Sequence, residues 1–387
     1  MFELVYRKSK ILNMNIIIIN ETSDLGGAET MAIELANALS HVPGCQVSFV
    51  SARGMLIDRL DNGIRFIPIS RYRLVNIFTL FFELRSIFKK NRFDIIHAQG
   101  ATVGIIAGIA VRIFSPKTKV LITHHSSAFS RVPCFIANFL FKTIADKLIA
   151  ISKARYNSFM SVGFSNKEVV LIPNFVDREH LFSQADPESI TKLRDSLGVL
   201  ENEKIIVGAG RLLSDKRFDI FIKTLIDCSR QAPDIQIFGL ILGDGPERKH
   251  LQDLVDRLTI PNLKLKLLGF QPNVATYFKM ADIFLFTSEH EEVLPMCLIE
   301  ATSLGTPIVC SDIPGNRDIV ENEFNGFLVE PKRMNYSCFV LKLLRDSVLA
   351  KRFSANGSRK AQDAYDKDRV VADIVHLYGS ILDKDGK

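Results

Sequence analysis

The chain has 387 residues, 47% apolar and 24% charged, as in ordinary soluble globular proteins, and its length suits about two domains. No stretch reaches the roughly 18 apolar residues that span a bilayer, and the longest candidate, residues 100–111, is rich in Gly and Ala and reads as a buried helix. Six scattered cysteines without a CxxC pair exclude a disulfide framework or a cysteine metal pattern and point to reduced thiols in a cytosolic protein. Net charge is +6, spread unevenly: residues 1–180 hold 22 Lys+Arg against 13 Asp+Glu, and the remainder 27 against 30. A basic first half suits contact with phosphates, of an anionic lipid or an acidic acceptor, or is simply a solvated surface. No recognition module or aromatic-basic repeat marks a nucleic-acid partner.

Residues 1–10 lack the apolar core and cleavage site of a signal peptide and read as part of a loose extension over 1–13, with Met14 as a second candidate start. Apolar runs at 16–20, 46–50, 94–97, 120–123, 147–151 and 169–172 read as strands, with helical patterns at 29–39, 74–90 and 134–145 between them. The pattern restarts with strands at 204–208, 235–242, 263–268, 283–286, 307–310 and 326–329. Repeated βα units imply parallel sheets with helices on both faces. The break falls between Pro173 and Lys204, where 174–188 is polar and 193–197 suits a short helix. The resulting division is 1–185, 186–365 and a C-terminal helix in 366–387, whose pattern at 368–382 is free to return to the first domain. In such sheets ligands bind beyond the carboxyl ends of the strands, so two Rossmann-like domains facing each other would form a two-substrate cleft.

The motifs lie at those strand ends. Gly26-Gly27-Ala28-Glu29 opens a helix after the first strand, as an anion site or a tight turn. His124-His125 ends the fourth predicted strand, where a histidine suits either a sugar hydroxyl or a structural role. Gly208-Ala209-Gly210-Arg211 begins like a dinucleotide fingerprint, but Leu213 stands at the third Gly position, which weakens an NAD reading. Arg211 and Lys216 in that loop are two cations that can clamp a diphosphate, or two exposed surface charges. Gly243-Asp244-Gly245-Pro246 is a turn that also leaves room for a base or ribose. Glu292 and Glu300 stand eight positions apart with Pro295 between them, so Glu292 should precede a helix and Glu300 sit on its second turn. The amides of that loop and helix start then face a phosphate while the carboxylates face hydroxyls, although the helix dipole alone also favours acids there. Asp366-Lys367-Asp368 has a metal-binding form but reads as a solvated face, and no metal is expected.

Together these pieces resemble the family 4 retaining glycosyltransferases of the GT-B fold: Gly26-Gly27-Ala28-Glu29, Thr123-His124-His125, Pro173-Asn174-Phe175-Val176-Asp177, Gly210-Arg211 with Lys216, Gly243-Asp244-Gly245-Pro246, and Glu292 with Glu300. Order and spacing fit from about residue 15 to 330, with Gly315 and Asn325-Gly326-Phe327-Leu328-Val329 extending the match. The resemblance implies an acceptor domain at 1–185 and a nucleotide-sugar domain at 186–365. It implies that Arg211 and Lys216 grip the diphosphate, Glu300 takes the ribose hydroxyls and Glu292 holds a donor-sugar hydroxyl. By the Thr-x-His pattern it selects His125, with His124 as runner-up, and it assigns donor contacts to Gly26, Gly27, Gly210, Gly243, Leu294, Pro295 and Met296. Two departures stand out: Val293-Leu294 follows Glu292 where the family mostly has Gly-Phe or Gly-Leu, and Arg217 follows Lys216 where Gly is usual. Valine disfavours positive φ, which bears on the loop's geometry.

The implied reaction is transfer of a sugar, with retention and without a metal or other cofactor, to a glycan or lipid-linked glycan in bacterial surface-polysaccharide biosynthesis. The implied setting is the cytoplasm, with the basic, aromatic segment 71–90 either lying on an anionic membrane or, the favoured reading, packing on the sheet. A nucleotide-sugar epimerase of the same fold is the competing enzyme reading, and a donor-binding protein without turnover the competing non-enzyme reading.

Overall fold

The computed structural model describes residues 13–24, 26–71, 77–125, 134–289 and 292–383. Most of the extension expected over 1–13, the predicted helix start at residue 74, and His290-Glu291 therefore lie outside the described residues. The chain divides into two compact units: the residues up to Phe175 together with those from Lys367 onward, and Val176–Asp366.

The first unit holds β1 (Met14–Thr22), β2 (Cys45–Ala52), β3 (Arg65–Pro68), β4 (Ile95–Gln99), β5 (Lys119–His124), β6 (Lys147–Ala150) and β7 (Val169–Leu171). They pair in parallel in the order β3-β2-β1-β4-β5-β6-β7. The second holds β8 (Glu203–Ala209), β9 (Gln236–Leu242), β10 (Leu263–Gly269), β11 (Ile283–Phe286), β12 (Ile308–Ser311) and β13 (Gly326–Val329), parallel in the order β10-β9-β8-β11-β12-β13. Unbroken apolar runs dictate this: Ile16, Ile17, Ile18 and Ile19 are all fully buried, which only a sheet covered on both faces allows. In each sheet the order reverses once, between β1 and β4 and between β8 and β11. At such a point the two neighbouring crossovers run to opposite faces and a crevice opens beyond the strand ends.

All twelve predicted strands form, and a thirteenth, β3, escapes the sequence pattern. It is a four-residue edge strand ending in Pro68, and Pro at an edge carries little strand signal. The polar stretch after residue 174 is more ordered than its composition suggests. Arg178–Gln184 and Pro187–Leu197 are helices, capped by Asp177, which accepts from the His180 amide, and by Asp186, which accepts from the amides of Glu188 and Ser189. Gly198 closes the second in a left-handed cap, so the expected helix at 193–197 is only its last part. Thr276 Oγ1 donates to the Gln184 carbonyl at 2.8 Å, so this segment belongs to the second unit, and the division falls after Phe175 and not after 185. The helix Lys367–Leu382 belongs to the first unit, where the buried Tyr378 hydroxyl lies 2.7 Å from His97 Nδ1. Among the described residues no helix is long and apolar enough to cross a membrane.

Candidate active site

In the second unit two loops leave adjacent strands side by side. From β8 the chain passes Gly210 and the exposed Arg211, makes a short turn at Ser214–Lys216 and enters the helix Phe218–Gln231. From β11 it passes Thr287, Ser288 and Glu289, reaches Glu292 and enters the helix Met296–Ser303. The loops are bonded together. The Glu289 amide donates to the Asp215 carbonyl at 2.9 Å, and Thr287 Oγ1 donates to the Arg217 carbonyl at 2.9 Å. Lys216 Nζ forms an ion pair with Glu292 Oε1, each side chain less than one-fifth exposed, and Ser288 Oγ donates to the same carboxylate oxygen at 3.0 Å. Glu300 stands on the second turn of its helix, as the spacing predicts. Cys297 locates the cluster: burial pushes its thiol up, the Glu300 and Glu292 charges push it further, and Lys216 opposes them. Lys216 and Glu292 are thus paired, and Glu300 lies one turn beyond Cys297 on the helix that Glu292 precedes. Arg211 stands apart; among the described residues no carboxylate pairs with it.

Close backbone packing fixes these loops. Gly243, at φ +130°, lies so near the loop after β8 that a Cβ there would fall 1.9 Å from the Gly210 carbonyl oxygen. Its glycine thus serves loop-to-loop approach, where the sequence left a turn or a ribose pocket open. A Cβ on Gly315, at the start of the helix Pro314–Ile319, would fall 2.0 Å from the Glu292 carbonyl oxygen. Residues with positive φ other than Gly are Arg217, Glu323 and Met334 among those described, so Val293 fits the loop without strain. Leu294 and Pro295 are buried, and the helix starting at Met296 has no side-chain cap on its first amides.

The first unit brings its own group to the reversal between β1 and β4. His125 follows β5, and its Nε2 lies 2.7 Å from Gln99 Oε1 at the end of β4. That oxygen can only accept, so the proton sits on Nε2 and Nδ1 is the acceptor. Beneath it, His97 Nε2 lies 2.6 Å from Thr123 Oγ1. His124 is fully buried, its ring edge-on to Phe141 and Phe159, and so is a core residue. The helix Gly27–Ser40 has no side-chain cap from Gly26, whose backbone is extended. The Glu29 carboxylate folds over Gly26, where a Cβ would meet Oε2 at 2.1 Å, so an anion arriving at this helix start meets an acid already there. Sequence reasoning missed Ser288, Cys297 and Gln99. The signal for Gln99 was its place at a strand end directly before Gly100. Among the described residues no three His, Cys, Asp or Glu side chains group as a metal site.

Two family models match consecutive parts of the chain: "Glycosyltransferase Family 4" over residues 25–180 and "Glycosyl transferases group 1" over residues 189–360. The chain belongs to the family 4 glycosyltransferases. It is a transferase, and its two Rossmann-like units are those of the GT-B fold. This glycosyltransferase is 28% identical over 342 residues to the Escherichia coli UDP-Gal:alpha-D-GlcNAc-diphosphoundecaprenol alpha-1,3-galactosyltransferase, covering 84% of this chain and 86% of that one. It is 22% identical to the N-acetyl-alpha-D-glucosaminyl L-malate synthase of Bacillus anthracis, over 94% of this chain and 97% of that one. Among solved structures it resembles Anabaena Alr3699/HepE in complex with UDP-glucose, with a TM-score of 0.81, 24% identity, and coverage of 95% and 100%.

Burial lowers the His125 pKa to about 4 and that of His97 to about 3, so both are neutral near pH 7 in the folded glycosyltransferase. Unfolded, each binds a proton near pH 6.5. Between about pH 6.5 and those lowered values the unfolded chain holds more protons, so stability rises with pH through this window and is lost on acidification. Denaturant titrations across the window should show that slope, and His125→Gln should flatten it by up to about 1.4 kcal/mol per pH unit. A slope that the substitution leaves unchanged contradicts the assignment.

Proposed function

We propose that this glycosyltransferase moves a sugar from a nucleotide-diphosphate sugar to a hydroxyl of a glycan or lipid-linked glycan, with retention at the anomeric carbon, in bacterial cell-surface polysaccharide biosynthesis. The observation that carries this reading is the Lys216–Glu292 ion pair at the carboxyl ends of β8 and β11, with Glu300 on the helix that follows, where the strand order reverses and open sheets bind ligands. Lys216 and Arg211 take the diphosphate, together with amides of the helix starting at Met296. Glu300 takes the ribose hydroxyls and Glu292 a hydroxyl of the donor sugar. His125 serves the transferring sugar, with Nδ1 as its free acceptor. The E. coli relative's name carries a UDP-sugar donor and a lipid-linked acceptor, and the Anabaena structure holds UDP-glucose, which supports both halves of the reading.

The Lys216–Glu292 pair suits this role. An ammonium has three donors, so one bond to Glu292 leaves two for phosphate oxygens. The acid holds the ammonium aimed before the donor arrives, so little reorganisation is needed as charge develops. In the transfer the anomeric C–O bond breaks and its electron pair goes to the leaving phosphate. The acceptor oxygen bonds the anomeric carbon on the same face, and its proton passes to that phosphate. Fixed cations beside the leaving group lower the barrier. Losing one such group costs on the order of 2.7–4 kcal/mol, about a hundred- to thousandfold in rate.

Lys216→Ala should therefore lower kcat about a hundredfold or more, and Arg211→Ala should lower it in the same direction, measured as nucleotide release with acceptor present. Full turnover in both variants would remove the electrostatic account. Because these cations carry the charge, excess EDTA should leave kcat unchanged; loss of activity restored by Mg²⁺ or Mn²⁺ would contradict the metal-free reading.

We propose that the enzyme works on the cytoplasmic side, in peripheral contact with anionic membrane. The helix Ile77–Lys90 buries Leu80, Leu84, Ile87 and Phe88 against the first unit, as the packed reading expects. It also leaves Phe78 and Phe82 outward, 75% and 60% exposed, with Lys89 and Lys90 at its end. Apolar rings beside cations favour an anionic interface. In liposome flotation the protein should rise with anionic vesicles and stay down with neutral ones, and Phe78→Ser with Phe82→Ser should abolish the difference. Equal recovery with both vesicle types would rule this contact out.

A further inference from the structure

Arg217 adopts the left-handed conformation, φ 52° and ψ 44°, at the position before the helix Phe218–Gln231. A side chain is strained there and glycine is not. A non-glycine residue held in such a conformation points to a compensating role for its side chain. The guanidinium shows what that role is. Nε and Nη2 donate to the two oxygens of Asp219 at 2.9 and 3.0 Å, and Nη1 donates to Glu289. Asp219 lies in the first turn of the helix, so one end of this fork is fixed to a rigid element. Glu289 lies on the other loop, three positions before Glu292. Two adjacent cations thus divide two nearby acids between them: Arg217 holds Glu289, and Lys216 holds Glu292. With Arg217 removed, Glu289 is free to compete for Lys216, and the loop after β11 loses one of its side-chain ties to the Lys216 turn, leaving those of Thr287 and Glu292.

We propose that Arg217 is a positioning residue of the donor site: by tying Glu289 to the helix it reserves Lys216 for Glu292 and the donor, and so sets affinity for the nucleotide sugar without touching it. The inference rests on the donor-binding role proposed above for the Lys216 cluster. Glycine at this position would satisfy the backbone and provide no fork.

The test uses the full-length protein as Arg217→Gly, which keeps the backbone conformation, Arg217→Lys, which keeps the charge without the fork, and Glu289→Gln, which removes the far end of the tether and leaves residue 217 intact. Binding of UDP, GDP, ADP and dTDP is measured by calorimetry, and steady-state kinetics are run with the donor whose nucleotide binds. Arg217→Gly and Glu289→Gln should each raise the donor Kd and KM roughly five- to tenfold with kcat within about twofold, the double variant should be no worse than either single one, and Arg217→Lys should recover part of the loss. Wild-type Kd and KM in both single variants, or a loss of thermal stability alone, overturn the inference and leave the donor reading standing. Failure of the wild-type protein to bind any of the four nucleotides overturns the donor reading and this inference with it.

Discussion

The ion pair between Lys216 and Glu292 is the interaction on which the second unit's chemistry depends. It joins the loop after β8 to the loop after β11, the two strands between which the order of the sheet reverses. Without that bond the two loops would still be stitched by the Glu289 amide, the Thr287 hydroxyl and the Arg217–Glu289 pair, but Lys216 would have no acid partner to hold it. A partly buried pair of this kind is held by geometry more than by net energy, because desolvation offsets much of the Coulomb gain. Its value lies in preorganisation: a cation and a carboxylate held in one geometry before any ligand arrives.

The surrounding backbone turns this pair into a site of fixed shape. Gly243 lets the loops after β8 and β9 touch, and Gly315 lets a helix start press against the carbonyl of Glu292. Neither approach tolerates a side chain, so the positions are specified by contact between backbones and not by the ligand alone. The first unit achieves rigidity by another route. Its polar groups are bonded in sequence, the buried Tyr378 to His97 to Thr123 and Gln99 to the partly buried His125, and desolvation lowers the pKa of both histidines.

Much of this was legible in the sequence, for identifiable reasons. Parallel strands covered on both faces leave unbroken apolar runs, so twelve of them could be read, whereas β3, four residues long and ending in proline, could not. The eight-residue spacing placed Glu292 before a helix and Glu300 on its second turn because proline fixes where such a helix starts. The helices Arg178–Gln184 and Pro187–Leu197 were obscured by polar composition, although their caps, Asp177, Asp186 and Gly198, were in view. Long-range pairing was out of reach. Nothing in the chain announces that Lys216 meets Glu292, that Gln99 holds His125, or that Glu29 covers Gly26. Val293 and Arg217 carried opposite lessons: the valine that bears on the loop's geometry is unstrained, and the arginine where Gly is usual is held in a glycine conformation.

The most direct measurement is a crystal structure of the protein with a bound nucleoside diphosphate. The account requires its phosphates within hydrogen-bonding reach of Lys216 Nζ and the Arg211 guanidinium, and its ribose hydroxyls on Glu300. A nucleotide bound elsewhere, or one whose phosphates leave Lys216 occupied by Glu292 alone, would contradict it.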